Sequence, residues 1–151
     1  MSRSLSSLTW ALILLAAMSG CQTAGRISPE QAVMAAAAAA PAGVDGVFTF
    51  TVQATGEDKG YVYLNSQADY RDQRNLSVEI PPAVRRELWR KFGADPIDYF
   101  KGKTIRVIGT AQRVKIWFNF GGYRTEKYYY QTHVMVRDAD QITALPKSVR
   151  R

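Results

Sequence analysis

Alternation of apolar and polar residues is the clearest pattern in this chain, and it recurs in five segments. Such alternation places every second side chain on the same face of a β-strand, as in a sheet with one buried face. Between Leu76 and Ile80, for example, only Ser77 and Glu79 are polar. The pattern predicts strands at Val47–Gln53, Tyr61–Asn65, Leu76–Ile80, Thr104–Phe120 and Thr125–Val136.

The fourth of these segments changes the parity of its apolar positions part-way along. Ile105 and Val107 keep one parity, whereas Val114 and Ile116 keep the other. One extra residue in a strand flips the side chains that follow it, which is what a β-bulge does. We therefore predict a bulge and a bend in this strand. For the fifth strand, the predicted inner face is Tyr130, Thr132, Val134 and Val136.

Between the third and fourth strands the period changes from two residues to four. Val84, Leu88 and Phe92 recur at this spacing, and Arg or Lys residues occupy much of the remaining surface. This pattern predicts an amphipathic helix with a basic outer face. Pro82 suits its first turn, and Gly93 ends it.

Alanine dominates residues 22–43, with six consecutive alanines at Ala35–Ala40. Ser28 and Gln31 form a capping-box pattern around Pro29, which favours a helix start. A short alanine helix has few bulky side chains to pack, so its stability is marginal. We predict that this segment is a spacer.

The first 20 residues predict an export signal. Arg3 provides a positive charge, and the apolar run Leu8–Met18 is shorter than the roughly 20 residues of a membrane-spanning helix. The sequence Met18-Ser19-Gly20-Cys21 resembles the lipobox of bacterial lipoproteins, with Met18 where leucine is usual. The resemblance implies lipidation of Cys21, the single cysteine of the chain, and the alternatives are an ordinary cleaved signal or a retained anchor.

Composition adds a basic balance, because the 151 residues include 20 Lys or Arg against 13 Asp or Glu. Removing the signal takes away only one of these charges, that of Arg3. A basic exported protein is attracted to anionic partners such as nucleic acid, lipid headgroups or acidic polysaccharides. A generally basic, soluble surface is the alternative interpretation.

Three strands, a helix and two long strands are the element order of the OB-fold. The segment Phe100–Thr110, followed by His133–Val136 and Gln141-Ile142, resembles bacterial OB-like domains. The motif Tyr63–Ser66, with Asp69–Asp72, resembles small exported bacterial OB-like proteins, most of them uncharacterised. We therefore expect an all-β fold with one helix, namely a five-stranded Greek-key barrel with the helix between strands 3 and 4. An open α+β sheet is the rival fold.

The expected organisation has four parts. Residues 1–20 are the signal peptide, and residues 21–43 are the lipidated cysteine and its spacer. Residues 44–145 form the OB-like domain, in which Gln141–Leu145 packs back onto the strands. Residues 146–151 are a basic, frayed tail.

The OB-fold resemblance implies ligand binding along strands 2 and 3 and between two loops, here Gly56–Gly60 and Asn119–Thr125. Aromatic side chains stack on bases or sugars, and arginine pairs with phosphate. Tyr61 and Tyr63 also suit simple strand packing, whereas Tyr123 and Arg124 at a glycine-rich tip have little to pack against. The candidate ligand-binding residues are Tyr61, Tyr63, Asn65, Tyr70, Arg71, Arg74, Trp117, Tyr123 and Arg124.

The cluster Asp69–Arg74 contains two carboxylates and two guanidinium groups, which suggests either a metal-dependent nuclease or a self-paired charged loop. The flanking motifs of staphylococcal nuclease, a catalytic OB-fold, are absent from the sequence. His133 is the single histidine and has no thiol partner, so it predicts neither a zinc site nor a catalytic pair. We predict no catalytic residues, metal or cofactor.

These patterns together predict a non-enzymatic binding module in the cell envelope, tethered to a membrane through Cys21. Gln22 after the cysteine favours the outer membrane if the host has one. Single-stranded nucleic acid or another anionic polymer is the expected ligand. The alternatives are an adaptor lipoprotein that docks an envelope protein, and the nuclease.

Overall fold

A computed structural model describes residues 25–146 of the chain. It is mostly β-structure, as predicted. The strands are β1 (Arg26–Ile27), β2 (Val44–Thr51), β3 (Ala54–Asp58), β4 (Tyr61–Asn65), β5 (Leu76–Ile80), β6 (Thr104–Phe120), β7 (Tyr123–Met135) and β8 (Ile142–Ala144). The helices are α1 (Pro29–Ala38), α2 (Pro82–Phe92) and α3 (Pro96–Tyr99), and a 3-10 turn follows at Ala139–Gln141. Within these residues, no helix is both long enough and apolar enough to cross a membrane.

The predicted counts of five strands and one helix are wrong. The predicted first strand is interrupted at Val52 and Gln53, so its continuation into the expected polar turn forms a separate strand, β3. Two short strands, β1 and β8, contain too few residues to produce a recognisable alternation. The strands predicted at Tyr61–Asn65, Leu76–Ile80 and Thr104–Phe120 are present with those limits.

All strands belong to one mixed sheet in the order β1-β2-β6-β7-β5-β4-β3, with β8 paired to β6. The pairs β1 with β2 and β5 with β7 are parallel, and the others are antiparallel. Only Val52 and Gln53 separate β2 from β3 in the chain, although these two strands pair with β6 and β4 at different ends of the path. The sheet is therefore strongly curled, and one chain segment connects its two sides.

The inner face of the curled sheet carries the hydrophobic core. Phe48, Leu64, Val78 and Ile105 are fully buried, and each comes from a different strand. Leu88 of α2 and Phe100 after α3 are also fully buried and belong to the same cluster. The neighbouring residues on each strand therefore point outward. Those of β4, β5 and β7 form part of the outer face of the sheet.

Helix α1 packs against the core, contrary to the prediction of a spacer with little to pack against. Its N-terminus has the predicted capping box, in which Ser28 and Gln31 bond each other's backbone N–H groups. Ala32 and Ala36, one turn apart, are fully buried within the core cluster. Small side chains allow the helix backbone to approach the strands closely, so alanine serves here as a packing residue. The packed domain therefore begins before Val44.

Helix α2 follows its prediction closely. Val84 and Leu88 are its buried residues, and Gly93 ends it with φ of 72°, in the left-handed region that favours glycine. Arg85 joins the helix to the sheet, because its guanidinium group lies 3.0 Å from Glu57 of β3 and 2.8 Å from Asp95. These contacts raise the pKa of Arg85 above its usual value.

Strand β6 contains a register irregularity of the kind predicted, but it lies nearer the end of the strand than the parity change that predicted it. Pairing with β7 is regular from Ala111 to Trp117, and the register shifts only between Trp117 and Asn119. The parity change has another cause. Beyond Ala111 the strand leaves the core, so its apolar residues Val114 and Ile116 lie on the outer face instead. For the same reason Tyr130, predicted to face inward, is 40% exposed.

Candidate functional site

A cleft of about 500 Å³ lies on the outer face of the sheet. Tyr63 of β4 and Tyr129 of β7 line it with aromatic rings, and Ile116 of β6 adds an aliphatic side chain. We call this region the cleft. Its lining residues are Ala54, Thr55, Gly56, Glu57, Asp58, Tyr63, Asn65, Ala68, Tyr70, Ser77, Ile116, Tyr129, Gln131 and His133.

Hydrogen bonds fix the orientation of the Asn65 side chain in the cleft. The backbone N–H of Gln67 donates to Oδ1 of Asn75 at 3.0 Å, so the Nδ2 group of Asn75 must be a donor. That Nδ2 donates to Oδ1 of Asn65 at 3.1 Å, and the hydroxyl of Ser77 donates to the same oxygen at 2.8 Å.

The remaining polar atom of this side chain is therefore the amide nitrogen. The Asn65 residue is only 4% exposed, and its Nδ2 has no hydrogen-bond partner among residues 25–146. The described side-chain atoms that are buried without a partner do not include this Nδ2, so it remains accessible from the cleft. The cleft thus offers an oriented N–H group to a ligand acceptor.

A chain of hydrogen bonds runs along the opposite side of the cleft. His133 contacts Glu79 through Nδ1 at 3.1 Å and Oε1 of Gln131 through Nε2 at 2.7 Å. The amide nitrogen of Gln131 then donates to the hydroxyl of Tyr129 at 3.0 Å. Both ring nitrogens of His133 therefore have hydrogen-bond partners. These contacts hold His133 and Tyr129 in place.

The side chains that line the cleft are acidic or uncharged. Glu57 and Asp58 are among its lining residues, and none of the residues that line it is Lys or Arg. Burial, followed by the nearby Glu79, raises the pKa of Tyr63. Burial likewise raises the pKa of Tyr129. The two phenols therefore remain uncharged hydrogen-bonding groups, and the cleft suits an uncharged polar ring better than a phosphate.

The other face of the β6–β7 hairpin alternates cations with aromatic rings. The guanidinium of Arg113 lies 3.6 Å from the ring centre of Tyr130, and the ammonium of Lys115 lies 4.4 Å from that of Tyr128. Arg124 covers Trp117 at 4.5 Å. We call Arg113, Lys115, Trp117, Arg124, Tyr128 and Tyr130 the ladder.

Strand pairing explains why these residues meet. Lys115 is directly opposite Tyr130, and Trp117 is directly opposite Tyr128, so their side chains share one face. The rings of Trp117 and Tyr128 contact each other edge to face at 5.2 Å. Tyr128 is 46% exposed, which leaves ring surface and positive charge accessible together. Such a surface can stack bases and neutralise phosphates.

The end of the same hairpin exposes large apolar side chains. Phe118 is 48% exposed, Phe120 is 83% exposed and Tyr123 is 81% exposed. Phe120 is directly opposite Tyr123, while Phe118 contacts the ring of Tyr129, which belongs to the cleft face. We call Phe118, Phe120 and Tyr123 the tip.

The loop after β4 pairs its own charges, as the self-paired interpretation of this segment predicts. Arg74 binds both carboxylate oxygens of Asp72, at 3.0 Å and 2.7 Å. These hydrogen bonds lower the pKa of Asp72 to about 2. Asp69 accepts the backbone N–H of Arg71 at 2.9 Å. Within the described part of the chain, no three His, Cys, Asp or Glu residues are grouped so as to hold a metal ion.

The structure distributes the predicted ligand-binding residues over several places. Tyr63, Asn65 and Tyr70 line the cleft, and Tyr61 lies on the same face of β4 but does not line it. Arg71 lies over the ring of Tyr70 at 4.6 Å. Arg74 is paired with Asp72. The hairpin holds the other three, Trp117 and Arg124 in the ladder and Tyr123 at the tip. Cys21 lies outside the described residues.

Sequence reasoning missed four members of the ladder, Arg113, Lys115, Tyr128 and Tyr130. Part of their signal was present, because Arg113, Lys115 and Trp117 recur at every second position of one strand. Recognising the ladder required knowing which residues of β7 pair with these residues of β6. His133, predicted to be a surface or groove residue, lines the cleft.

No family model matches this chain, and no curated protein matches it either. Among solved structures, it is similar to a putative aspartyl-tRNA synthetase from Leishmania major Friedlin, with 12% sequence identity and a TM-score of 0.44. That similarity covers 99% of this chain and 24% of the synthetase chain, so this chain spans about a quarter of its length. At that similarity nothing about function carries over.

Proposed function

We propose that this protein is a membrane-tethered binding module, and that its ladder binds single-stranded nucleic acid or another anionic polymer. The observation that supports this most directly is the stacking of three cations on three aromatic rings on one face of the β6–β7 hairpin. Stacking on aromatic rings tolerates any base, and phosphate neutralisation requires no particular sequence. The ladder therefore suits an extended polymer better than a compact ligand.

The proposal includes an OB-like barrel as the scaffold. Residues 44–58 pair with β6 through one half and with β4 through the other, β5 and β7 are parallel, and α2 connects β5 to β6. These relations agree with OB topology when β2 and β3 are counted as one bent strand. In such a fold the β6–β7 hairpin is one of the elements that contact ligands.

The tether is proposed on sequence grounds. The export signal and its ending at Cys21 support lipid attachment and a place in the cell envelope, in the outer membrane if the host has one. The mass of the mature N-terminal peptide tests this. A diacylglyceryl-modified Cys21 is expected, whereas an unmodified peptide reading through residues 18–24 would refute it.

Oligonucleotide binding tests the function. Lipidated protein purified in detergent should bind labelled oligothymidine, with an affinity that falls as salt rises. Replacing Arg113, Lys115 and Arg124 by Gln should weaken binding at least about tenfold. The matched control replaces Arg86, Arg90 and Lys101, which are exposed cations away from the hairpin, and removes the same charge.

Equal losses in the two variants would mean that overall charge attracts the polymer and would overturn the assignment to the ladder. Absence of any salt-sensitive binding would overturn the function. A parallel titration with heparin distinguishes binding of nucleic acid from binding of another anionic polymer. Tighter binding of oligothymidine than of heparin would favour nucleic acid, because only bases stack on the rings.

The cleft favours a second candidate function, the binding of an uncharged sugar ring. The observation that favours it is the Nδ2 donor of Asn65, which has no partner among residues 25–146 and lies in a cleft that the rings of Tyr63 and Tyr129 also line. Oligomers of N-acetylglucosamine are suitable probes, with binding measured by isothermal titration calorimetry, which does not depend on the Asn65 amide being present. Asn65→Asp keeps the shape but exchanges the donor for an acceptor, and Gln73→Glu makes the same change at an exposed site. Retained binding in Asn65→Asp would exclude this candidate.

A further inference from the structure

The tip of the β6–β7 hairpin projects away from the rest of the domain. The turn consists of Gly121 and Gly122, which have φ values of 59° and 83°. A Cβ atom built on either glycine would have no neighbour within 4 Å. Phe120 and Tyr123, immediately before and after this turn, are the most exposed aromatic residues described. Nothing in the fold requires apolar side chains at this position.

We propose that the tip inserts into the headgroup region of an anionic lipid bilayer. Aromatic residues flanked by Lys and Arg are typical of segments that lie at the membrane interface. The hairpin Gln112–Gln131 contains four cations, Arg113, Lys115, Arg124 and Lys127, against one carboxylate, Glu126. The apolar end therefore enters the interface while cations behind it meet lipid phosphates.

The size of the tip favours a lipid surface over a protein partner or a second copy of the chain. Its three side chains expose roughly 300–500 Å² together, since a whole aromatic side chain buries about 150–250 Å². A stable protein interface needs about 800 Å² on each partner. A membrane imposes no such requirement, because a few inserted side chains and several cations act additively.

Membrane contact goes beyond the proposed polymer binding: it shares cations of the hairpin with the ladder, but it also depends on the aromatic side chains of the tip, which polymer binding does not use. Phe120 and Tyr123 form a directly opposed pair, whereas Asn119 pairs with Arg124. Because successive residues of a strand point to opposite faces, the Phe120–Tyr123 pair faces away from Arg124 and from Trp117 beneath it. The tip and the ladder are therefore separable by mutation.

Vesicle binding without lipidation tests the inference. The chain from residue 21 with Cys21→Ser contains every described residue but carries no lipid. It should co-sediment with vesicles of phosphatidylcholine and phosphatidylglycerol, and much less with phosphatidylcholine alone. Replacing Phe118, Phe120 and Tyr123 by Ser should lower the partition coefficient at least about tenfold. The control Trp89→Ser removes a 53% exposed aromatic residue of α2 and should change nothing.

Three outcomes would overturn the inference. One is co-sedimentation of the tip variant equal to that of the parent chain, which would mean that charge alone adsorbs the protein. Another is the absence of binding to both vesicles. The third is self-association of the parent chain that the tip variant abolishes in analytical ultracentrifugation, which would make the tip a contact between copies.

The tip variant should keep its affinity for oligothymidine. If the parent chain binds vesicles but no oligonucleotide, the polymer-binding proposal fails and the membrane inference stands. If the parent chain binds the oligonucleotide but no vesicles, the membrane inference fails and the polymer-binding proposal stands. Circular dichroism spectra and thermal transitions like those of the parent chain establish that the variants are folded.

Discussion

The cleft and the ladder share the strand β7, yet they are built in different ways. In the cleft, Asn65 is buried and is oriented by hydrogen bonds that continue to Asn75 and to the loop backbone. In the ladder, cations rest on aromatic rings in contact with water, and strand pairing alone sets their positions. Substitutions in a buried polar network lower the stability of the fold, whereas substitutions on an exposed cation–aromatic face have little effect on folding.

The largest effect is expected from Asn75→Ala. This change removes partners from Asn65, from the hydroxyl of Ser66 and from the backbone N–H of Gln67. Buried groups without partners should lower the free energy of unfolding by about 2–4 kcal/mol. Urea denaturation measures it, with exposed Gln73→Ala as the control, expected within about 0.5 kcal/mol. Similar stability of the two variants would show that the network does not hold the cleft.

The ladder should show the opposite behaviour in Trp117→Ala. Loss of a stacking ring should weaken oligothymidine binding by about 1–3 kcal/mol. Because the ladder is exposed, Trp117→Ala should lower the free energy of unfolding by less than Asn75→Ala does. Anisotropy titrations and urea denaturation of the same sample measure both quantities, and Trp89→Ala serves as the control. A large loss of stability with unchanged binding would mean that Trp117 only packs.

A smaller effect is expected from Lys115→Gln. If its ammonium group neutralises one phosphate, the slope of log K against log salt should become shallower by about 0.7, the value for one contact with a single strand. Lys101→Gln, at an exposed turn, should leave the slope unchanged. An unaltered slope in Lys115→Gln would place the polymer away from this cation.

The smallest effect concerns the loop beside the cleft. Asp72 has a pKa of about 2, mainly because of hydrogen bonds from Arg74. In Arg74→Ala this pKa should rise toward its usual value of 3.8, as measured by NMR titration of the Asp72 carboxyl carbon. A depressed pKa favours the folded state above the usual pKa, and this contribution disappears as the pH falls through about 2. Arg74 is exposed and Asp72 is only partly buried, so stability at neutral pH should hardly change, and an unmoved pKa would contradict the pairing.

The sequence was most informative where local pattern and burial coincide. The limits of β5 follow from alternation because its two faces differ in polarity, and α2 follows from its four-residue period and from Gly93. Both features depend on residues close together in the chain. The self-paired charges of Asp72 and Arg74 were predictable for the same reason.

The errors arose where a long-range contact decides the outcome. Ala32 and Ala36 have side chains too small to indicate burial, so packing of α1 could be recognised only with the sheet in place. The apolar residues Val114 and Ile116 change parity because β6 leaves the core, which the strand itself does not reveal. The ladder was recognised only in part, because its cations and its tyrosines come from two strands whose register no local pattern fixes.

The packing of α1 has a consequence for reach. With Cys21 as the proposed attachment point, only Gln22–Gly25 separate the lipid from β1 at Arg26. Five residue steps of fully extended chain span at most about 17 Å, far less than a 22-residue spacer would allow. The domain would then remain at the surface of the membrane that holds its lipid. It could bind only ligands that reach that surface.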